Sequence, residues 1–206
     1  MGSALAGASG LGVSGVFAGS APLTVLVVGD SLSAEYGLKR GEGWVALLEK
    51  RLAEQKIAAR VVNASISGET SAGGRSRIGA LLAQVKPDVM VLELGANDAL
   101  QGLPVAQTQA NLAAMVSAAQ AAGAKVLLVG IQVPPNYGMA YLNSFSRIFS
   151  SIGTLNKVPV VPFMLKGVAD GPDAATMFQA DRIHPIAAAH PRILDNIWPA
   201  LKKLLK

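Results

Sequence analysis

Leu23-Thr24-Val25-Leu26-Val27-Val28-Gly29-Asp30-Ser31-Leu32 joins an unbroken apolar run to a small polar turn. A half-solvated strand shows a polar side chain at every second position, so a run without alternation reads as a strand covered on both faces. Four later segments read the same way, over residues 59–63, 88–94, 125–131 and 158–163. Helical periods lie between them. Trp44, Leu47, Leu48 and Leu52 form one stripe, and Ile78, Leu81, Leu82 and Val85 a second. Leu112, Met115, Val116 and Ala119 form a third, with Gly123 placed to end that helix as its C′ residue. A closing helix opens near Pro191 and carries Ile193, Leu194, Ile197, Trp198 and Leu201, with Pro199 as a point of bending. Strand–helix alternation predicts an α/β fold, a parallel sheet with helices on both faces. Without a repeat or a linker, residues 23–206 read as one domain.

Composition narrows the function classes. The 206 residues are 51% hydrophobic and 15% charged, which describes a packed domain and not a disordered chain. The absence of cysteine excludes disulfides, thiol catalysis and Cys-ligated zinc. A net charge of +5 is compatible with anionic surfaces, yet no basic run is interleaved with the two Trp, three Tyr and five Phe. Nucleic-acid binding is therefore not expected. Residues 1–29 carry no charged side chain, and 1–22 are mainly Gly, Ala and Ser. That leader reads as the remnant of an export signal, an added leader or a flexible arm. It lacks the bulky apolar content of a membrane helix, and no integral membrane span is expected elsewhere.

The architecture alone locates a site. Open parallel sheets bind ligands beyond the carboxyl ends of their strands, where strand order reverses. Ser31 follows the first strand, Gly68 the second and Asn97 the third, while His184 lies beyond the fifth. Only two histidines exist, His184 and His190. His184 stands three residues after Asp181 and directly before Pro185, a spacing that brings a carboxylate to Nδ1 and leaves Nε2 for Ser31. His190 precedes Pro191 and reads as a surface or capping histidine. A serine hydroxyl, a histidine to take its proton and an aspartate to orient that histidine make an acyl-transfer constellation. Two histidines so separated make a poor zinc site, and no metal is expected. Gly68 offers an unobstructed backbone N–H, Asn97 a side-chain amide and Ser31 its own N–H, the donors that an oxyanion needs. Gly68 also reads as a turn glycine, and Asn97-Asp98 as a helix cap. Tyr137, Met139 and Tyr141 either wall a substrate pocket or pack over the sheet edge. Thr70 to Arg75 reads as a small, glycine-rich loop.

Taken in order, Gly29-Asp30-Ser31-Leu32, Ser67-Gly68, Gly95-Ala96-Asn97-Asp98 and Asp181-Arg182-Ile183-His184 resemble the blocks of the SGNH (GDSL-type) serine hydrolases. The stretches 61–68 and 134–138 resemble the bacterial arylesterase/thioesterase I/lysophospholipase branch, and the resemblance extends from about Leu23 to the end. It implies a three-layer flavodoxin-like fold of five parallel strands in the order 2-1-3-4-5. It assigns Ser31, Asp181 and His184 to a triad, and Ser31, Gly68 and Asn97 to an oxyanion hole. It implies no metal, nucleotide or organic cofactor, a small acyl ester or thioester as substrate, and a periplasmic or secreted location. Arg182 departs from the pattern, which often has glycine there. A carbohydrate O-deacetylase of the same fold is the alternative. A nucleotide-binding flavodoxin-like domain is not favoured, because no phosphate-cradling glycine motif follows the first strand.

Overall fold

The computed structural model describes residues 1–2, 21–133 and 137–206. The leader expected over 1–22 thus falls almost wholly outside the described residues. Five parallel strands form one sheet in the order β2-β1-β3-β4-β5. They are β1 (Leu23–Gly29), β2 (Ala59–Asn63), β3 (Val89–Glu93), β4 (Lys125–Val129) and β5 (Val160–Val161). Helices α1 (Trp44–Glu54) and α6 (His190–Leu204) pack together on one face, and α2 (Ser71–Val85), α4 (Val105–Ala121) and α5 (Met139–Asn156) on the other. The short helix α3 (Ala96–Leu100) follows β3.

The apolar runs are continuous because these strands have no solvated face. Val25 to Val28 in β1, Val89 to Leu92 in β3 and Val126 to Val129 in β4 are all buried. The edge strand β5 is shorter than the run over 158–163 because Pro159 and Pro162 flank it, and neither has an N–H to donate to a ladder. Among the described residues no helix is long and apolar enough to cross a membrane.

Two segments differ from their sequence reading. The glycine-rich stretch after Thr70 is not a loop but the first turns of α2, since the Thr70 hydroxyl caps the helix by accepting from Gly73 N. Gly74 lets that helix lie against β3: a Cβ there would stand 2.5 Å from Leu94 Cδ1. Helix α5 was not anticipated, although Phe145, Ile148, Phe149 and Ile152 bury one face at helical spacing.

The sheet order places the reversal between β1 and β3, whose carboxyl ends carry Gly29 and Glu93 in register. The turn after β1 and the loop after β3 therefore open side by side.

Candidate active site

Gly29 ends β1 against a buried acid. A Cβ on Gly29 would stand 2.7 Å from Glu93 Oε2 and 2.8 Å from Ser33 Oγ, so only glycine leaves room for both. Ser33 Oγ donates to Glu93 Oε2 at 2.7 Å and accepts from Trp44 Nε1 at 3.2 Å. Asp30 is fully buried and caps the turn, its Oδ1 accepting from Leu32 N at 3.0 Å. Burial pushes the Asp30 carboxyl up to about 6 and Glu93 well above the ordinary carboxylate range. Locked from both sides, this turn presents Ser31 at the sheet edge.

The partner of Ser31 comes from the other end of the chain. His184 Nε2 lies 2.9 Å from Ser31 Oγ, and His184 Nδ1 lies 2.7 Å from Asp181 Oδ2. The loop that holds them is tied locally. Asp181 Oδ1 accepts from Ile183 N and His184 N, and Gln179 N donates to the His184 carbonyl. The hydrogen bond from His184, aided by these two N–H groups, holds the Asp181 carboxyl down at about 2. The ionised Asp181 fixes the tautomer, with Nδ1 protonated and Nε2 open to the serine proton. The Tyr36 ring lies on the imidazole, centroids 4.2 Å apart. This geometry can ionise a serine hydroxyl as it attacks a carbonyl.

Gly68 and Asn97 converge on the same point. Gly68 adopts φ +79°, which favours glycine, and a Cβ there would meet nothing within 4 Å. Asn97 Nδ2 donates to the Glu69 carbonyl at 3.0 Å and to Asp30 Oδ2 at 3.2 Å. Asp98 is buried behind it and accepts from Ser71 N, Ser71 Oγ and Thr108 Oγ1, anchoring α3 to α2 and α4. Ser31, Gly68, Asn97 and His184 all line one cleft of about 590 Å³.

Its remaining walls are largely apolar, with Gln132 among them, and come from three separate loops. Ile131 and Val133 follow β4, Phe163 and Leu165 follow β5, and Phe178 precedes the histidine loop. Tyr137, Met139 and Tyr141, expected as walls, do not line the described cleft. Tyr141 stacks on Phe145 and donates to the Leu103 carbonyl, Tyr137 faces Tyr141, and Met139 opens α5 at 67% exposure. The helix start draws all three back over the sheet edge.

For His190 the capping alternative holds and the surface one does not. It is not on the surface but 2% exposed, and its Nδ1 accepts from Trp44 N at 3.0 Å. Gly43 supplies no side chain to cap α1, so an imidazole from α6 does it. Glu93 and Ser33 were also missed. A glutamate inside a strand covered on both faces was the available signal, since such a charge needs partners. Among the described residues no group of His, Asp and Glu has the makings of a metal site.

Residues 27–192 match the GDSL-like lipase/acylhydrolase family. The chain is 56% identical over 186 residues to esterase TesA of Pseudomonas aeruginosa, covering 90% of this chain and 91% of that one. It is 39% identical over 189 residues to thioesterase 1/protease 1/lysophospholipase L1 of Escherichia coli K12, covering 92% and 88%. A crystal structure of the psychrotrophic esterase EstA from Pseudoalteromonas superposes with a TM-score of 0.83 at 41% identity, over 88% of this chain and 98% of that one.

Proposed function

The chain belongs to the GDSL-like lipase/acylhydrolase family and is an ester hydrolase, and from that premise we propose that Ser31 is its nucleophile and His184 its general base. The observation that carries this reading is the relay of 2.9 and 2.7 Å from Ser31 through His184 to Asp181, opening on an apolar cleft. Ser31 Oγ attacks the ester carbonyl while its proton passes to His184 Nε2. The oxyanion is held by the N–H groups of Ser31 and Gly68 and by the Asn97 amide, which exchanges its long bond to Asp30 for one to the new charge. The imidazolium then protonates the departing alcohol or thiol. Water, deprotonated by the same imidazole, cleaves the acyl-enzyme.

The substrates that fit are aryl and short-to-medium acyl esters, with acyl thioesters and lysophospholipids in the same class. Ile131, Val133, Phe163, Leu165 and Phe178 offer a hydrocarbon wall for the acyl chain. Such a wall has little to hydrogen-bond a sugar ring, which disfavours the deacetylase alternative. The small residues Ala18-Gly19-Ser20-Ala21 at the end of the leader support a location outside the cytoplasm, which cell fractionation tests.

Ser31→Ala should fold normally and lose about 10⁶-fold in kcat. A fluorophosphonate should label Ser31 and no other serine, and esters and thioesters of increasing chain length should report the acyl preference. Labelling elsewhere, or an active alanine variant, would overturn the assignment.

A further inference from the structure

Arg182 holds a conformation that its residue type disfavours. Its φ is +58°, a left-handed value that L side chains rarely adopt and glycine adopts readily. Four other non-glycine residues share such a φ, and each has a visible reason. Lys86 and Lys157 are helix C-caps, and Lys56 follows the end of α1. Glu35 is held by its own side chain, which accepts from Gly41 N and Gly43 N. Arg182 has one too: its N–H donates to the Gln179 carbonyl, inside the turn in which Asp181 Oδ1 accepts from Ile183 N and His184 N, but among the described residues its side chain makes no hydrogen bond or ion pair. The turn accounts for the backbone, and what remains to be explained is an unpartnered guanidinium in the lining of the cleft.

Its place says what role that side chain has. Arg182 is exposed and lines the cleft two residues before His184. The group that leaves must depart beside Nε2, which protonates it, so the leaving-group side is the one at His184, where Tyr36 lies on the imidazole and Arg182, two residues away in sequence, belongs to the same lining. The oxyanion donors Gly68 and Asn97 occupy a second side, and the apolar wall of Ile131 and Phe163 takes the acyl chain. The cleft lining holds one other full charge, Asp30, which is buried and engaged with Leu32 N and Asn97 Nδ2. The nearby Asp181 carboxylate is taken up by Ile183 N, His184 N and the imidazole.

We propose that Arg182 is the anion subsite for the leaving group, favouring esters whose departing alcohol carries a phosphate or sulfonate a few bonds from the scissile oxygen. The proposal rests on the esterase reading above. A planar guanidinium pairs with either anion through two N–H donors, which a lysine ammonium does less well.

Two substrate pairs test it, each differing by one anion: phenyl hexanoate against 3-sulfophenyl hexanoate, and 1-hexanoylglycerol against its 3-phosphate. The readout is the ratio of kcat/KM, anionic over neutral, so electronic differences between the members of a pair cancel on comparing variants. Arg182→Gly, whose glycine suits the backbone, should lower both ratios about three- to tenfold. Arg182→Lys should keep part of the preference, and salt should shrink the wild-type ratio while leaving the glycine variant's flat. A fall in only the phosphate or only the sulfonate pair would identify which anion the subsite takes and support it. An unchanged ratio in both pairs, or a lysine variant indistinguishable from glycine, would overturn the subsite while leaving the esterase intact. Wild-type protein inactive on phenyl hexanoate would instead count against the esterase reading itself.

Discussion

The two halves of the Ser31–His184 relay are built in opposite ways. The serine half is dry: Asp30, Ser33 and Glu93 are each at most 1% exposed, and the bonds that Glu93 accepts join residues 60 or more positions apart. The histidine half is wet. Asp181, Arg182 and Ile183 are exposed, and the bonds shaping the loop run between Gln179 and Pro185. Its ties to the rest are few, chiefly Gln179 Nε2 donating to the Tyr36 carbonyl at 2.9 Å and the Tyr36 ring on the imidazole. A buried network with distant partners is bound up with the stability of the fold, while a locally tied surface loop can change without unfolding it. On the proposed roles, Ser31 is therefore coupled to stability and His184 to chemistry.

The sharpest way to break that contrast is Asp181→Asn. The amide removes the acceptor that fixes Nδ1 as the protonated nitrogen, so Nε2 is no longer reliably open to the serine proton. The rate should fall about 10³–10⁴-fold, the scale of a triad whose orienting carboxylate is lost. The melting temperature should hardly move, because Asp181 is solvated and its other partners are two local N–H groups that water can satisfy. Steady-state kinetics and calorimetry on the same sample decide it. A large loss of stability would show that the loop is part of the cooperative core.

His190→Ala asks the converse question. It removes the acceptor for Trp44 N and leaves the start of α1 uncapped and buried, at about 1–2 kcal/mol. Folded protein should turn over near the wild-type rate, since His190 stands behind the sheet edge and outside the cleft lining. Burial depresses the His190 pKa, so the folded chain prefers the neutral ring. The unfolded chain then binds more protons at this group below about pH 6.5, so the support that His190 gives the fold should shrink as pH falls from there. Denaturant melts of wild type and alanine variant at several pH values should show the gap between them narrowing in acid.

Legibility followed the same divide. Strands covered on both faces declare themselves through unbroken apolar runs, as β1, β3 and β4 do. The base half was legible because its contacts are local: Asp181 and His184 are three residues apart and only two histidines compete. What stayed hidden depends on distance. Trp44 and His190 meet across 146 positions, and the cleft wall of Ile131, Phe163 and Phe178 is assembled from three loops. No local pattern contains those pairings. Helix α5 is a different case, because its period was present but followed Pro134, Pro135 and Gly138, which read as loop.

Glu93→Gln gives the smallest effect and probes the dry half directly. Glu93 Oε2 accepts from Ser33 Oγ and, at 3.4 Å, from Asp30 N, and a glutamine carbonyl can take both bonds. What glutamine cannot do is ionise. Burial, with the charge of neighbouring Asp30 added, raises Glu93 well above its ordinary value, and burial raises Asp30 to about 6. Carboxyls in the unfolded chain titrate near 4. Between those values these two groups hold more protons in the folded chain than in the unfolded one, so their contribution to stability should fall as pH rises from about 4 through 6. The Asp181 carboxyl behaves oppositely: held at about 2, it withdraws support only as pH falls below about 4. Alkali therefore stresses the serine half and acid loosens the histidine half. In Glu93→Gln one of the two burdened carboxyls is gone, so the variant should exceed the wild type by about 1 kcal/mol near pH 8 and match it near pH 5. Urea melts at the two pH values measure the difference. A variant less stable than wild type near pH 8 would mean that the ionised Glu93 is held favourably by Ser33 and Trp44, and that the dry half tolerates charge as well as the wet one.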